Sequence, residues 1–211
     1  MISIHSIYVG RPQTVHDASG TWRSSICRTR ADGDVSLGLR GLAGDEVTDQ
    51  RHHGKENQAV CCHPLAHYGF WKSQYGILLA SGGVGENWTL AGADEAGICV
   101  HDVYEVGSAR VRVSGPRVPC GTQARRVGRK DWVDLTLKEL RTGFYLSVVH
   151  SGTVKAGDAW RLAERPHAGA TLTALNRCVY HDAEPAVVER FLAIPDLDEY
   201  WRKKVAERRA G

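Results

Sequence analysis

Apolar and β-branched residues alternate with polar ones at Met1–Val9, Ser25–Arg30, Val35–Leu39, Ala59–Cys62, Ile98–Val106, Arg110–Ser114, Phe144–Val149 and Asp158–Leu162, with glycine-bearing turns between them. That spacing predicts a mainly β, mainly antiparallel barrel or sandwich. Val149-His150-Ser151-Gly152-Thr153-Val154 reads as a hairpin, and Ala156-Gly157-Asp158 restarts a strand after a tight turn. Two helices interrupt the strands. Pro64–Gln74 places proline in a tolerated first turn, and Asp131–Arg141 carries Val133, Leu137 and Leu140 at helical spacing. After Arg165-Pro166 the period changes to three and four through Leu172–Val179, Ala186–Leu192 and Leu197–Ala206, which predicts a helical tail. Asp182, Glu184 and Asp196 fall near its helix starts, and Arg202, Lys203, Lys204, Arg208 and Arg209 suit the dipole at the last helix end.

Composition narrows the class. With 211 residues, 42% hydrophobic and 24% charged, the chain is globular and long enough for one core, or for a core with a small appendage. The alternation at Met1–Ile7 predicts a first strand, not an export signal, and no apolar run is long enough to span a membrane. A cytoplasmic protein is expected. Its six cysteines (27, 61, 62, 99, 120 and 178) lack the spacing of a disulfide scaffold, so reduced thiols are expected. A net charge of +3 is too small for a nucleic-acid binder. Basic residues do concentrate near one thiol: Arg117, Arg125, Arg126, Arg129 and Lys130 flank Cys120.

Cys120 is the strongest candidate for chemistry. In Ser114-Gly115-Pro116-Arg117-Val118-Pro119-Cys120-Gly121-Thr122, two prolines and two glycines fix an irregular loop after a strand, restricting where the sulfur points. A thiolate is a soft metal ligand and a nucleophile, and guanidinium groups such as Arg117 and Arg125 favour its charged form. A buried inert cysteine is the plain alternative. Gly41-Leu42-Ala43-Gly44-Asp45-Glu46, with Asp49, Arg51, His52, His53 and Gly54, reads equally as an anion-cradling turn or as turn chemistry in which Asp45 binds nearby amides. Gly82-Gly83-Val84-Gly85-Glu86-Asn87-Trp88 lacks the lysine of a phosphate loop. His63 and His67, four apart, have neither the paired cysteines nor the glutamate of a zinc motif, and no nucleophile elbow is present.

In order along the chain, Gly41-Leu42-Ala43-Gly44-Asp45, Asp49, His53-Gly54, His67-Tyr68, Trp71, Gly85-Glu86-Asn87, Pro116-Arg117, Pro119-Cys120, Thr142–Tyr145 and Gly152–Asp158 resemble the MOSC domain family. That family is named after the C-terminal part of molybdenum cofactor sulfurase, and the likeness is to its standalone bacterial YiiM-like branch. The resemblance implies a β-barrel-like MOSC domain over residues 1–165 and a helical extension over 166–211. It implies binding of molybdopterin with its molybdenum, with Cys120 as metal ligand and catalytic residue. Arg117 and nearby basic residues are then expected to hold the pterin phosphate. His53, Asn57, Gln58, Gly85, Glu86, Asn87 and Thr122 complete the expected cofactor site. The implied activity is reduction of N-hydroxylated bases such as hydroxylaminopurine, a small-molecule substrate, with electrons from a separate reductase. A non-catalytic molybdopterin carrier and a persulfide carrier are the alternatives, and no pyridoxal-phosphate site, nucleic-acid partner or membrane partner is expected. Lys55 and Glu56-Asn57-Gln58 depart from the family's usual second glycine and Pro-Asp-Arg, which leaves Lys55 to supply the charge of the missing arginine.

Overall fold

Strands β1 (Ser3–Val9), β2 (Gln13–Asp17), β3 (Gly20–Ser24), β4 (Thr29–Ala31), β5 (Val35–Gly38) and β6 (Gly41–Leu42) occupy the N-terminal part of the chain. They are seen in a computed structural model that describes residues 1–17, 20–51 and 53–209. A single 3-10 turn, Glu56–Gln58, leads into β7 (Val60–Pro64), α1 (Ala66–Tyr75) and β8 (Trp88–Ala91). Next come β9 (Val103–Val106), β10 (Ala109–Pro116), α2 (Gly121–Val127) and α3 (Trp132–Lys138), and then β11 (Phe144–His150), β12 (Gly152–Val154) and β13 (Trp160–Glu164). The tail forms α4 (Leu172–Tyr180), α5 (Pro185–Leu192) and α6 (Glu199–Arg209).

Eight strands form one curled sheet in the order β13-β9-β10-β11-β7-β8-β1-β4. Every pairing in it is antiparallel except β7 with β8, which run parallel around the crossover helix α1. The sheet curls back on itself. Ile4 donates its amide to the Asp158 carbonyl (2.9 Å) and accepts from Gly157 (2.7 Å), joining β1 to the residues that enter β13. A bulge between Ile4 and Ser6 shifts the register of β1 against β8, so Ile4, Ser6 and Ile7 are all buried. In β10 the expected alternation holds: Ala109, Val111 and Val113 face the core, while Arg110, Arg112 and Ser114 are half-exposed. β7 is buried along its whole length, as a strand covered on both faces must be.

The tail is continuous with this core. Leu172, Leu175, Phe191, Leu197 and Trp201 join Ile4, Val111, Phe144 and Leu146 in one apolar cluster, and each such side chain contributes about 1.5–3 kcal/mol through burial. Thr171 caps α4 by accepting from the Ala174 amide at 3.1 Å. A second cluster of Tyr68, Trp71, Ile77, Val84 and Trp132 fixes α1 against α3.

Several elements differ from the sequence expectation, each for a local reason. Ser25–Arg28 is irregular and β4 begins at Thr29, because Arg28 turns inward to Asp45 and to the Gly85 carbonyl. The expected strand from Ile98 starts only at Val103: Asp102 bonds back to the Cys99 amide at 2.9 Å, and His101 takes a positive φ of 65°. Pro64 ends β7 instead of opening the helix. β11 and β12 are not a hairpin, since β12 leaves the large sheet and pairs with β5. Close approach drives that departure: a Cβ on Gly152 would lie 2.5 Å from the Ser108 backbone. The β2–β3 hairpin, β8 and α2 are additional to the elements the periodicity predicts.

Candidate functional site

β10 ends at Pro116, and the loop after it carries Arg117 inward and leaves Cys120 at the N-cap of α2, extended at φ −142° and ψ 163°. Cys120 is half-buried. Arg117 is almost fully buried: its amide donates to the Gly143 carbonyl at 2.9 Å. Nη1 donates to Gln123 Oε1 at 2.7 Å, and Nη2 reaches Cys120 Sγ at 3.7 Å. Gln123 is itself anchored by donating to the Val84 carbonyl at 3.2 Å. The guanidinium is therefore held against the thiol by the strand, by the first turn of α2 and by the glycine segment before β8.

This arrangement decides the charge on sulfur. Burial pushes the Cys120 thiol up, but Arg117 and the amides of Gln123 and Thr122 together outweigh it and hold the pKa below its ordinary value. Cys61, Cys62, Cys99 and Cys178 are all pushed the other way, by burial first. Cys61 is the informative contrast. It lies in β7 on the same cleft and within the field of Arg117, yet complete burial leaves it a protonated thiol.

Cys120 lies where two adjoining cavities meet. One, about 460 Å³, is walled by Lys55, Pro116, Val118, Tyr145, Asp198 and Trp201. The other, about 270 Å³, runs past Arg28, Asp45, Cys61, Asn87 and Arg117. His53, Gln58, Cys120, Thr122 and Tyr145 line both. Asn57 Oδ1 and Gln58 Oε1 are buried oxygens without a hydrogen-bond partner among the described residues, although Asn57 Nδ2 donates to Asp198 Oδ2 at 2.6 Å. Exposed Arg23, Arg40, Arg51 and Lys55 stand around the opening.

The structure brings the sequence candidates Cys120, His53, Asn57, Gln58, Arg117 and Thr122 into one cleft, and Gly85 and Asn87 border the inner cavity. Asn87 is saturated there. It accepts from the Cys61 amide at 3.0 Å and donates to Asp45 Oδ2 at 2.9 Å and to the Tyr8 carbonyl at 3.2 Å, so it braces the wall. Glu86 does not line the cleft. Its Oε1 accepts from the Tyr68 hydroxyl (2.5 Å), the Thr89 hydroxyl (2.6 Å) and the Gly82 amide (2.8 Å), which turns the carboxylate into the protein. Gly85 holds φ 80°, where a Cβ would lie 2.2 Å from Ile26 Cγ1.

Two other expectations are corrected. Arg125 does not face the thiol: it pairs with Asp17 at 2.6 Å and lies 4.6 Å over the Trp22 ring. The turn at 41–46 is not a free anion cradle. Its Ala43, Asp45 and Glu46 amides bind the Ser36, Leu42 and Gly10 carbonyls, and Asp45 forms a largely buried pair with Arg28 at 2.7 Å. Arg28, Cys61, Tyr145, Asp198 and Trp201 also line the cleft, and none of them is among the site residues that the sequence points to. Tyr145 was detectable, since it alternates with core-facing Phe144 and Leu146 on β11; the contact between Asn57 and Asp198 leaves no local trace.

Among the described residues no helix is long and apolar enough to cross a membrane. The model of the MOSC domain matches residues 49–161, which contain most of the cleft. YflK of Bacillus subtilis strain 168 is 35% identical over 201 residues, covering 95% of this chain and 91% of that protein. The crystal structure of YiiM from Geobacillus stearothermophilus superposes with a TM-score of 0.81 at 30% identity, covering 99% of this chain and 100% of that one. A protein of Gibberella moniliformis strain M3125 named reductase is 30% identical over 152 residues, 70% of this chain but 27% of its own length. With its curled sheet, its cleft at the end of β10 and these relatives, the chain belongs to the MOSC domain family.

Proposed function

We propose that this protein binds the molybdenum cofactor in the Cys120 cleft and there reduces N-hydroxylated bases or related compounds, with electrons from a separate reductase. The observation that carries this reading is a half-buried thiol, held below its ordinary pKa by a buried guanidinium, at the junction of two cavities. Family membership and likeness to a protein named reductase support it.

The residues suit the group. Cys120 offers a thiolate, the soft donor a redox metal takes. Asn57 Oδ1 and Gln58 Oε1 are buried acceptors that lack donors among the described residues, as the N–H groups of a pterin edge would require. Arg23, Arg40, Arg51 and Lys55 place positive charge around the opening, where a phosphate would be held. Arg117 is engaged with sulfur and Gln123, which makes it the residue that sets the state of the thiol.

When bound, the cofactor supplies the two-electron chemistry by which an N–OH group, with two protons, becomes N–H and water. The chain's own side chains position the substrate. Trp201, Pro116 and Val118 form an apolar wall against which a planar base can stack. Tyr145, whose pKa is pushed up to about 12 by burial foremost, keeps its proton where it lines both cavities. The test is turnover of hydroxylaminopurine by cofactor-loaded protein with a chemical reductant, for wild type and Cys120→Ala. The reading expects turnover in wild type and its loss in the variant; equal turnover removes Cys120 from the reaction.

A further inference from the structure

Sharing no lining residue with the Cys120 cleft, a cavity of about 410 Å³ opens where the barrel meets the tail, bordered by His101, Arg112, Glu164, His167 and Asp196. Three separate segments supply its donors. His101 lies in the turn before β9, His167 in the linker after β13, and Asp196 in the loop between α5 and α6. One donor atom from each lies within 4.8 Å of the other two.

His101 is the unusual member. It takes a φ of 65°, a region that favours glycine, although it carries an imidazole. The ring is 4% exposed. Its Nδ1 has no hydrogen-bond partner among the described residues and lies 3.2 Å from Asp196 Oδ1. A ring nitrogen and a carboxylate oxygen at that separation match neighbouring vertices of a tetrahedral zinc site, where arms of about 2.0–2.2 Å place donors roughly 3.3–3.5 Å apart. The other oxygen of Asp196 is held by Arg112, as an outer hydrogen bond holds a ligating carboxylate. The His101 and His167 rings are 5.4 Å apart between centroids, and His167 is half-buried.

We propose that His101, His167 and Asp196 form a binding site for zinc or a similar divalent cation that ties the C-terminal helices to the barrel. Each ligand belongs to a different segment, so occupancy adds a cross-link between β9, the linker and the tail. A fourth position is left to water.

The experiment titrates Zn²⁺ alone into chelator-stripped full-length protein, comparing wild type with His101→Gly, His167→Ala, Asp196→Ala and Cys120→Ser. Wild type and Cys120→Ser are expected to bind one equivalent more than the other three, and to show a zinc-dependent rise in unfolding temperature that those three lack. His101→Gly suits the backbone at that position, and His167→Ala, half-buried on a linker, decides the matter should another variant fail to fold. Equal stoichiometry in wild type and His167→Ala overturns the proposal, as does a wild type that binds no zinc. Loss in Cys120→Ser alone would place the ion in the cleft and overturn it as well.

Discussion

Replacing Arg117 by methionine removes the guanidinium that fixes the ionisation of Cys120 while keeping a long side chain in its space. Gln123 Oε1 loses its 2.7 Å donor and Cys120 Sγ its 3.7 Å neighbour. An unsatisfied buried acceptor costs about 1–3 kcal/mol, offset in part because a buried charge no longer has to be desolvated. A destabilisation of roughly 1–3 kcal/mol is therefore expected while the thiol is protonated. The pH dependence carries the sharper information. The folded pKa of Cys120 lies below its ordinary value of 9.0. Its ionisation therefore contributes stability that is fully present above that value and is lost as pH falls through the lower folded value. In Arg117→Met the largest remaining influence on the thiol is burial, which raises its pKa, so the variant loses stability over the range in which wild type keeps it. Urea unfolding at a series of pH values should show the gap between the two proteins widening as pH rises. Peptide-resolved alkylation should show Cys120 reacting only at higher pH in the variant, with Cys61 slow in both. A constant stability gap with an unmoved alkylation profile would refute the assignment of Arg117 as the group that sets the thiol.

Other perturbations test the walls of the site. Gly85→Ala puts a Cβ into Ile26 at a φ of 80°, and the left-handed strain and overpacking together should cost about 2–5 kcal/mol in urea unfolding; a change within error would mean the segment relaxes freely. Glu86→Gln replaces an acceptor of three hydrogen bonds by an amide and should lose about 1–3 kcal/mol, while cofactor affinity, read by equilibrium dialysis, stays as in wild type. Trp201→Ala deletes a side chain only 4% exposed and should cost about 3–5 kcal/mol, with weaker substrate binding measured as a raised KM.

The sequence makes Cys120 legible because everything that singles it out is local: the prolines, the glycines and Arg117 lie within a few residues of the sulfur. The barrel strands β5, β10 and β11 are legible for a similar reason, since each has one core face and shows its period. β8 is not, because Trp88, Thr89 and Leu90 are buried in succession and present no alternation. A carboxylate after a glycine run looks the same whether it faces solvent, ligand or protein, and only the positions of Tyr68, Thr89 and Gly82 reveal that Glu86 faces inward. Arg117 and Arg125 lie three and five residues from the thiol, but the turn of α2 sends Arg125 to Asp17. The contribution of the tail to the cleft, through Asp198 and Trp201, depends on packing across most of the chain length and has no sequence signal.

Metal and pterin content tests the central claim most directly. Wild type and Cys120→Ala are purified from one molybdenum-sufficient host and assayed for molybdenum by mass spectrometry and for pterin by fluorescence after oxidation. The account predicts molybdenum and pterin in near-equal amounts in wild type, with molybdenum depleted relative to pterin when the thiolate is removed. Neither component in wild type, even after incubation with excess cofactor, or an identical molybdenum to pterin ratio in both proteins, would contradict it.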